Sequence, residues 1–120
     1  MIVSLIFSLL MASTAANVGP PEAMKSSRLS YSKWVACVLD KSGRYAKLDE
    51  PAEVTAQSAI AQCTDFGDKY KRNLDAIRID GIVKMTDETK DKVISDRTLE
   101  LQNYAISNVL EIRLKKASKG

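Results

Sequence analysis

Two cysteines restrict this chain more than any other feature. Cys37 lies in the apolar segment Trp34-Val35-Ala36-Cys37-Val38-Leu39, and Cys63 lies in Ala59-Ile60-Ala61-Gln62-Cys63. Both segments read as buried helical positions, and the point midway between the cysteines is Glu50. That midpoint falls in Asp49-Glu50-Pro51, where Asp49 is placed to cap a helix and Pro51 suits a first turn that needs no amide donor. Two antiparallel helices folded about this point set the sulfurs opposite each other, so a Cys37–Cys63 disulfide is expected. Closing a loop of about 25 residues contributes roughly 3 to 4 kcal/mol on the chain-entropy account, a large share of a small domain's stability. A catalytic dithiol is usually C-x-x-C, in which the second thiol and a helix N-terminus lower the pKa. The spacing here is different, and the pair is read as structural.

Such a bond needs an oxidising compartment, and the N-terminus suggests the route to one. Met1 to Ala16 reads MIVSLIFSLLMASTAA, with no charged side chain and an apolar run from Ile2 to Met11. That run has the length of a signal peptide's hydrophobic region, and the small residues Ser13, Thr14, Ala15 and Ala16 form a cleavage boundary. Cleavage after Ala15 or Ala16 is expected, which makes the protein secreted or periplasmic. The Lys or Arg that usually precedes the run is missing, so only the amino terminus supplies positive charge. A retained membrane anchor is the alternative, but it needs about 20 apolar residues, and here Asn17, Gly19, Pro20 and Pro21 end the run. No cysteine near the boundary is available to accept lipid. The chain then divides into a signal peptide (1–16), a linker (17–29) and a single domain (30–120).

That domain is small, and its periodicity is helical. A first helix starts near Ser27 or Ser30 and turns Tyr31, Trp34, Val38, Tyr45 and Leu48 to one side, with Gly43 as a point of bending. A second runs from Pro51 to about Ile79 with Ala56, Ala59, Ile60, Cys63, Phe66, Tyr70, Leu74 and Ile77 spaced by threes and fours. The stretch Ile77 to Met85 contains Asp80-Gly81, which fits either a two-residue β-hairpin turn or a helix end with Gly81 as terminator. The helix end is preferred, because an isolated two-stranded hairpin is only marginally stable. A third helix starts at the cap Thr86, with Asp87 and Glu88 in its first turn, Arg113, Lys115 and Lys116 in its last, and a stripe of Ile94, Leu101, Tyr104, Ala105 and Ile112. Carboxylates precede cations by four residues at Asp65/Lys69, Asp68/Arg72, Glu88/Lys92 and Glu111/Lys115, the favourable order on an exposed face. The expected fold is all-α: a small antiparallel bundle of about three helices with one disulfide between them.

Chemistry is tested by elimination. The chain has no histidine, which removes the commonest general base, the commonest metal ligand and every Ser-His or Cys-His nucleophile pair. Ser30-Tyr31-Ser32-Lys33 matches S-x-x-K, but the companion S-D-N and K-T-G motifs are missing. Ser30 therefore reads as a helix-start residue. The carboxylate pairs Asp87/Asp91 and Asp96/Glu100 read as exposed helix charges, and neither a calcium loop nor a phosphate cradle is present. No catalytic, cofactor-binding or metal-ligating residue is assigned. Lys and Arg exceed Asp and Glu by 18 to 15, too small an excess to imply nucleic acid. Two basic clusters are candidate contacts to an anionic membrane or cell-wall surface: Lys69, Lys71 and Arg72, and Arg113, Lys115, Lys116 and Lys119.

An apolar helix with Cys37, a turn carrying Asp49-x-Pro51 and an A-x-x-A-I-A-x-C helix over Ala56 to Cys63 together cover about Tyr31 to Cys63. This combination resembles small uncharacterised exported bacterial proteins with a helical cysteine pair. The resemblance implies export and a disulfide-linked helical fold, and carries no established activity or binding residues. The expected function is that of a non-enzymatic interaction or envelope-associated module with a protein or envelope component as partner. A secreted hydrolase or hydrolase inhibitor is the alternative, which a pocket with convergent polar groups or a protruding loop would favour.

Overall fold

The computed structural model describes residues 21–79 and 82–119; the signal-peptide reading of residues 1–16 and the terminator Gly81 lie outside them. Helix α1 spans Pro21–Tyr45, α2 Ala52–Gln62, α3 Thr64–Leu74 and α4 Asp87–Lys119, with strands β1 Arg78–Ile79 and β2 Val83–Lys84 between α3 and α4. The described residues are thus mostly helical, in four helices.

α1 begins at Pro21, earlier than the start read at Ser27 or Ser30, and residues 21–29 are helical rather than a linker. Both serines lie inside the helix and are buried. Ser27 donates to the Met24 carbonyl at 3.0 Å, the local back-bonding that lets a short hydroxyl be buried in mid-helix. Gly43 does not interrupt α1. One face of this helix buries Ser27, Ser30, Trp34, Val38 and Ser42, one three-residue step followed by four-residue steps that set one stripe against α2, α3 and α4.

The segment from Pro51 to Leu74 is two helices, not one. Cys63 breaks it with φ −106 and ψ 20, and bonds of the i→i−3 type run through the junction: Cys63 N–H to the Ile60 carbonyl at 3.0 Å and Phe66 N–H to the Cys63 carbonyl at 3.1 Å. Thr64 also turns its hydroxyl onto the Ala61 carbonyl at 2.7 Å. α2 carries no side-chain N-cap, so Asp49 does not play that part. Instead the Pro51 carbonyl accepts both the amide of Thr55, at 3.1 Å, and its hydroxyl, at 3.3 Å. The buried residues of α2 are Thr55, Ala56 and Ala59, side chains small enough for the helix to approach α1 and α4 closely.

Helix directions follow from the contacts. Tyr31 meets Glu100, Ser42 meets Asn108 and Ala46 meets Arg113, so α1 and α4 run the same way. Asn73 meets Ser30 and Gly67 lies against Trp34, so α3 runs opposite to α1. The chain ascends α1, descends through the broken α2 and α3, and ascends again along α4.

A short antiparallel hairpin replaces the helix end expected near Gly81, pairing Arg78 with Lys84 and Ile79 with Val83. It is not isolated, which is why the stability objection fails. Ile77 and Met85 at its base pack on the core, and Lys90 of α4 bonds Asp75 at the end of α3, fastening the elements on either side. α4 starts as expected: Thr86 Oγ1 accepts the Thr89 amide at 3.1 Å. Its buried residues are Leu101, Ala105 and Val109, whereas Tyr104 of the expected stripe is 45% exposed. Phe66 and Leu48, also expected inside, are exposed as well.

Candidate functional site

The densest concentration of polar and aromatic groups lies where α1, α3 and α4 meet. Tyr31 and Trp34 of α1 stand three residues apart on its buried face, and Tyr70 of α3 packs against both, with ring centres 5.5 Å and 5.8 Å away. Trp34 presses on Gly67, where a Cβ would come within 2.9 Å of the indole; a glycine is required for this approach. The Trp34 Nε1–H is buried with no hydrogen-bond partner. Its surroundings are aromatic, and π faces accept such a proton only weakly.

Glu100 of α4 is the hub of the polar part. Its Oε1 accepts the hydroxyl of Tyr31 at 2.8 Å and that of Tyr104 at 2.9 Å, and its Oε2 accepts Arg97 Nη1 at 2.9 Å. Arg97 also lies over the Tyr31 ring, 5.2 Å from its centre, in cation–π contact. The donated Tyr31 and Tyr104 hydroxyls hold the Glu100 carboxyl below the ordinary glutamate value. Burial, then the bond to Glu100, pushes the Tyr31 phenol well above the ordinary tyrosine value. A carboxylate held by three donors and a phenol held neutral make a fixed joint between helices, with neither a free base nor a nucleophile in it.

A second cluster surrounds Lys90. Its ammonium bonds Asp75 and also lies 3.0 Å from Asp87, with its side chain only 12% exposed. These bonds raise the Lys90 pKa and lower that of Asp75. Between α1 and α4 there is also an open groove of about 530 Å³ lined by Leu39, Asp40, Gly43, Arg44, Lys47, Asn108 and Ile112. Asn108 spans its floor, donating to the Leu39 carbonyl at 3.2 Å and to Ser42 Oγ at 3.1 Å.

The residues singled out from sequence fare differently. Cys37 and Cys63 are bonded, with Cα atoms 6.0 Å apart, and join α1 to the break between α2 and α3. Ser30 accepts a bond from Asn73 in the buried α1–α3 contact, while Lys33 is exposed. Of the carboxylate pairs, Asp87 and Asp91 take separate lysines, Lys90 and Lys71. Among the described residues no group of His, Cys, Asp and Glu is arranged to hold a metal ion, and no helix is long and apolar enough to cross a membrane.

The two basic clusters are not brought together. Lys71 lies 3.4 Å from Asp91 near the start of α4, and Arg113 is farther along the same helix by roughly 33 Å. Lys69 and Arg72 are exposed on α3, and their expected partners Asp65 and Asp68 make no ion pair with them among the described residues. Arg113 is committed internally: Nε donates to the Ala46 carbonyl at 3.0 Å and Nη2 to that of Leu48 at 2.7 Å. Lys115 pairs with Glu111 at 3.3 Å, and Lys116 and Lys119 are exposed. Sequence reasoning missed Glu100, Arg97 and Lys90 as tie points. The local signal was Arg97-x-x-Glu100, an i,i+3 pair; which tyrosines would reach it depends on tertiary contacts. No family model matches the chain, and comparison with curated proteins and with solved structures found no match.

Proposed function

We propose that this chain is an exported, non-enzymatic helical protein, secreted or periplasmic, that acts through its surface as an interaction or envelope-associated module. The Cys37–Cys63 bond carries the reading, taken with the uncharged apolar segment and small-residue boundary of Met1 to Ala16. A structural disulfide is stable in the compartment to which such a segment leads. Action through the surface is supported by the way the interior polar groups are used: Glu100, Lys90, Asn73 and Arg113 each bond across elements.

Mass spectrometry of the protein recovered from its host tests the reading. The mature N-terminus is expected at Ala16 or Asn17, in the extracytoplasmic fraction, with no free thiol. Recovery of intact Met1 in the cytoplasm with two titratable cysteines would overturn it. Affinity capture from the envelope then identifies the partner, and a covalent adduct with a hydrolase-directed probe would replace the module reading with an enzymatic one.

A further inference from the structure

Three of the four tyrosines and the only tryptophan of the chain converge where α1, α3 and α4 meet. Trp34 is buried, with its ring centre 6.2 Å from that of Tyr31 and 5.8 Å from that of Tyr70. The two tyrosine rings are themselves 5.5 Å apart. From Tyr31 the cluster continues to the surface through a carboxylate: Glu100 Oε1 accepts the Tyr31 hydroxyl at 2.8 Å and the Tyr104 hydroxyl at 2.9 Å. Tyr104 is 45% exposed. Packing accounts for the rings around Trp34; the shared oxygen adds a proton path between a half-buried phenol and an exposed one.

With both cysteines bonded, indole and phenol are the side chains of this protein that lose a single electron most readily. An indole that has lost one is a strong oxidant for as long as it keeps its N–H proton. The Trp34 Nε1–H is buried with no hydrogen-bond acceptor, so its proton has nowhere to go. An oxidised phenol is by contrast a strong acid, and Glu100 stands within hydrogen-bond distance of two of them. Arg97 lies over the Tyr31 ring, 5.2 Å from its centre, and its charge holds the electrons of that ring more tightly. No cation lies over Tyr104 among the described residues, which makes the exposed tyrosine the better resting place for the missing electron.

We propose that Trp34, Tyr70, Tyr31 and Tyr104 form an oxidation relay, which carries the vacancy left on Trp34 by a one-electron oxidant to the exposed Tyr104 while Glu100 handles the protons. The oxidant takes one electron from Trp34 and is itself reduced. Tyr31 then gives an electron to Trp34, directly or by way of Tyr70, and its O–H bond breaks with the proton passing to Glu100 Oε1. Trp34 is restored and Tyr31 is left a neutral phenoxyl. Tyr104 next gives its electron to Tyr31 and its proton to Glu100, as Glu100 returns the first proton to Tyr31. The net change is one electron from Tyr104 to the oxidant and one proton from Tyr104 to Glu100, which releases it to solvent. The oxidation thus leaves the buried core, where Trp34 packs in one cluster with the Cys37–Cys63 bond, and reaches a side chain that a soluble reductant can repair.

The single tryptophan gives the test a defined starting point. The full chain purified from its host is photoionised by a laser pulse that only indole absorbs, with ruthenium(III) hexaammine present to take up the ejected electron. Transient absorption should show the indolyl signal giving way to a phenoxyl signal, and mass spectrometry should find dityrosine-linked dimers joined at Tyr104. Glu100→Gln should slow the conversion by about tenfold or more, the least that follows from losing a hydrogen bond to a charged acceptor. Tyr104→Phe, a change at an exposed position, should cut the dityrosine yield by a similar factor and raise the yield of oxidised Trp34. Tyr45→Phe, outside the cluster, should behave as the parent does, and Trp34→Phe should give no phenoxyl. Circular dichroism verifies that each variant is folded. An indolyl radical that persists in the parent, an unchanged conversion rate in Glu100→Gln, undiminished dityrosine in Tyr104→Phe, or a phenoxyl formed without Trp34 would overturn the relay and leave the cluster as packing alone.

Discussion

Two glycines inside helices have opposite consequences at the scale of single residues. At Gly43 an added Cβ would meet Ile112 Cδ1 at 3.6 Å and Asn108 Nδ2 at 3.8 Å, ordinary contacts. Gly43→Ala should therefore stabilise by about 0.5–1 kcal/mol, the usual gain in helix propensity. At Gly67 the same methyl would lie 2.9 Å and 3.1 Å from two carbons of the Trp34 indole, whose ring is hemmed in by Tyr31 and Tyr70. Overpacking of about 1–3 kcal/mol exceeds the propensity gain of up to about 1 kcal/mol, so Gly67→Ala should lower stability. Denaturant midpoints of the two variants decide the matter: a raised midpoint for Gly67→Ala would contradict the Trp34–Gly67 contact, and a lowered one for Gly43→Ala the open space at Gly43. Neither outcome was legible in the sequence, which suggested Gly43 as a bend and gave Gly67 no part. A glycine's role depends on what another element places beside it.

At the scale of elements, the disulfide and the hairpin show where pattern reading works and where it stops. The cysteine pairing was legible because hydrophobic periodicity and the turn at Glu50 are local, and both point to the same antiparallel contact. The break at Cys63 was not, since the apolar spacing continues through it and only the backbone bonding changes. With Cys63 wholly buried at the junction, the bond holds α1 against both α2 and α3. A Cys37→Ser/Cys63→Ser variant should stay helical and lose about 3 kcal/mol, and reductant should lower the melting temperature of the parent but not of the variant. An unchanged melting temperature in the variant would show that the bond contributes nothing. The hairpin depends instead on Lys90, whose ties to Asp75 and Asp87 fix the ends of its flanking helices. Lys90→Met should speed amide exchange across Arg78–Lys84 while leaving Trp34 fluorescence native; unchanged exchange would mean that the core contacts of Ile77 and Met85 suffice.

At the scale of the whole molecule, Glu100 makes stability depend on pH, because it joins α1 to α4 through Tyr31. Its folded pKa lies below the ordinary 4.5, so the carboxylate contributes stability that is complete above 4.5 and is lost as pH falls through the folded value. Asp75 acts in the same sense below 3.8. Tyr31 has the opposite dependence: its folded pKa lies above the ordinary 10.0, so its contribution is complete below 10.0 and is lost as pH rises toward the folded value. Because the chain has no histidine, no side chain of ordinary pKa titrates between these arms. The melting temperature should therefore vary little near neutrality and fall on both sides. Glu100→Gln should melt below the parent at pH 7, with the gap narrowing as the parent's carboxylate is protonated below 4.5. Tyr31→Phe should flatten the alkaline arm and, by removing a hydrogen bond to a charged acceptor, cost about 1.5–3 kcal/mol at neutral pH. A Glu100→Gln gap that stays constant from pH 7 to pH 3 would show that the Glu100 charge does not hold α1 to α4, leaving Arg97 over the Tyr31 ring and the bonds of Asn108 and Arg113 as what joins them.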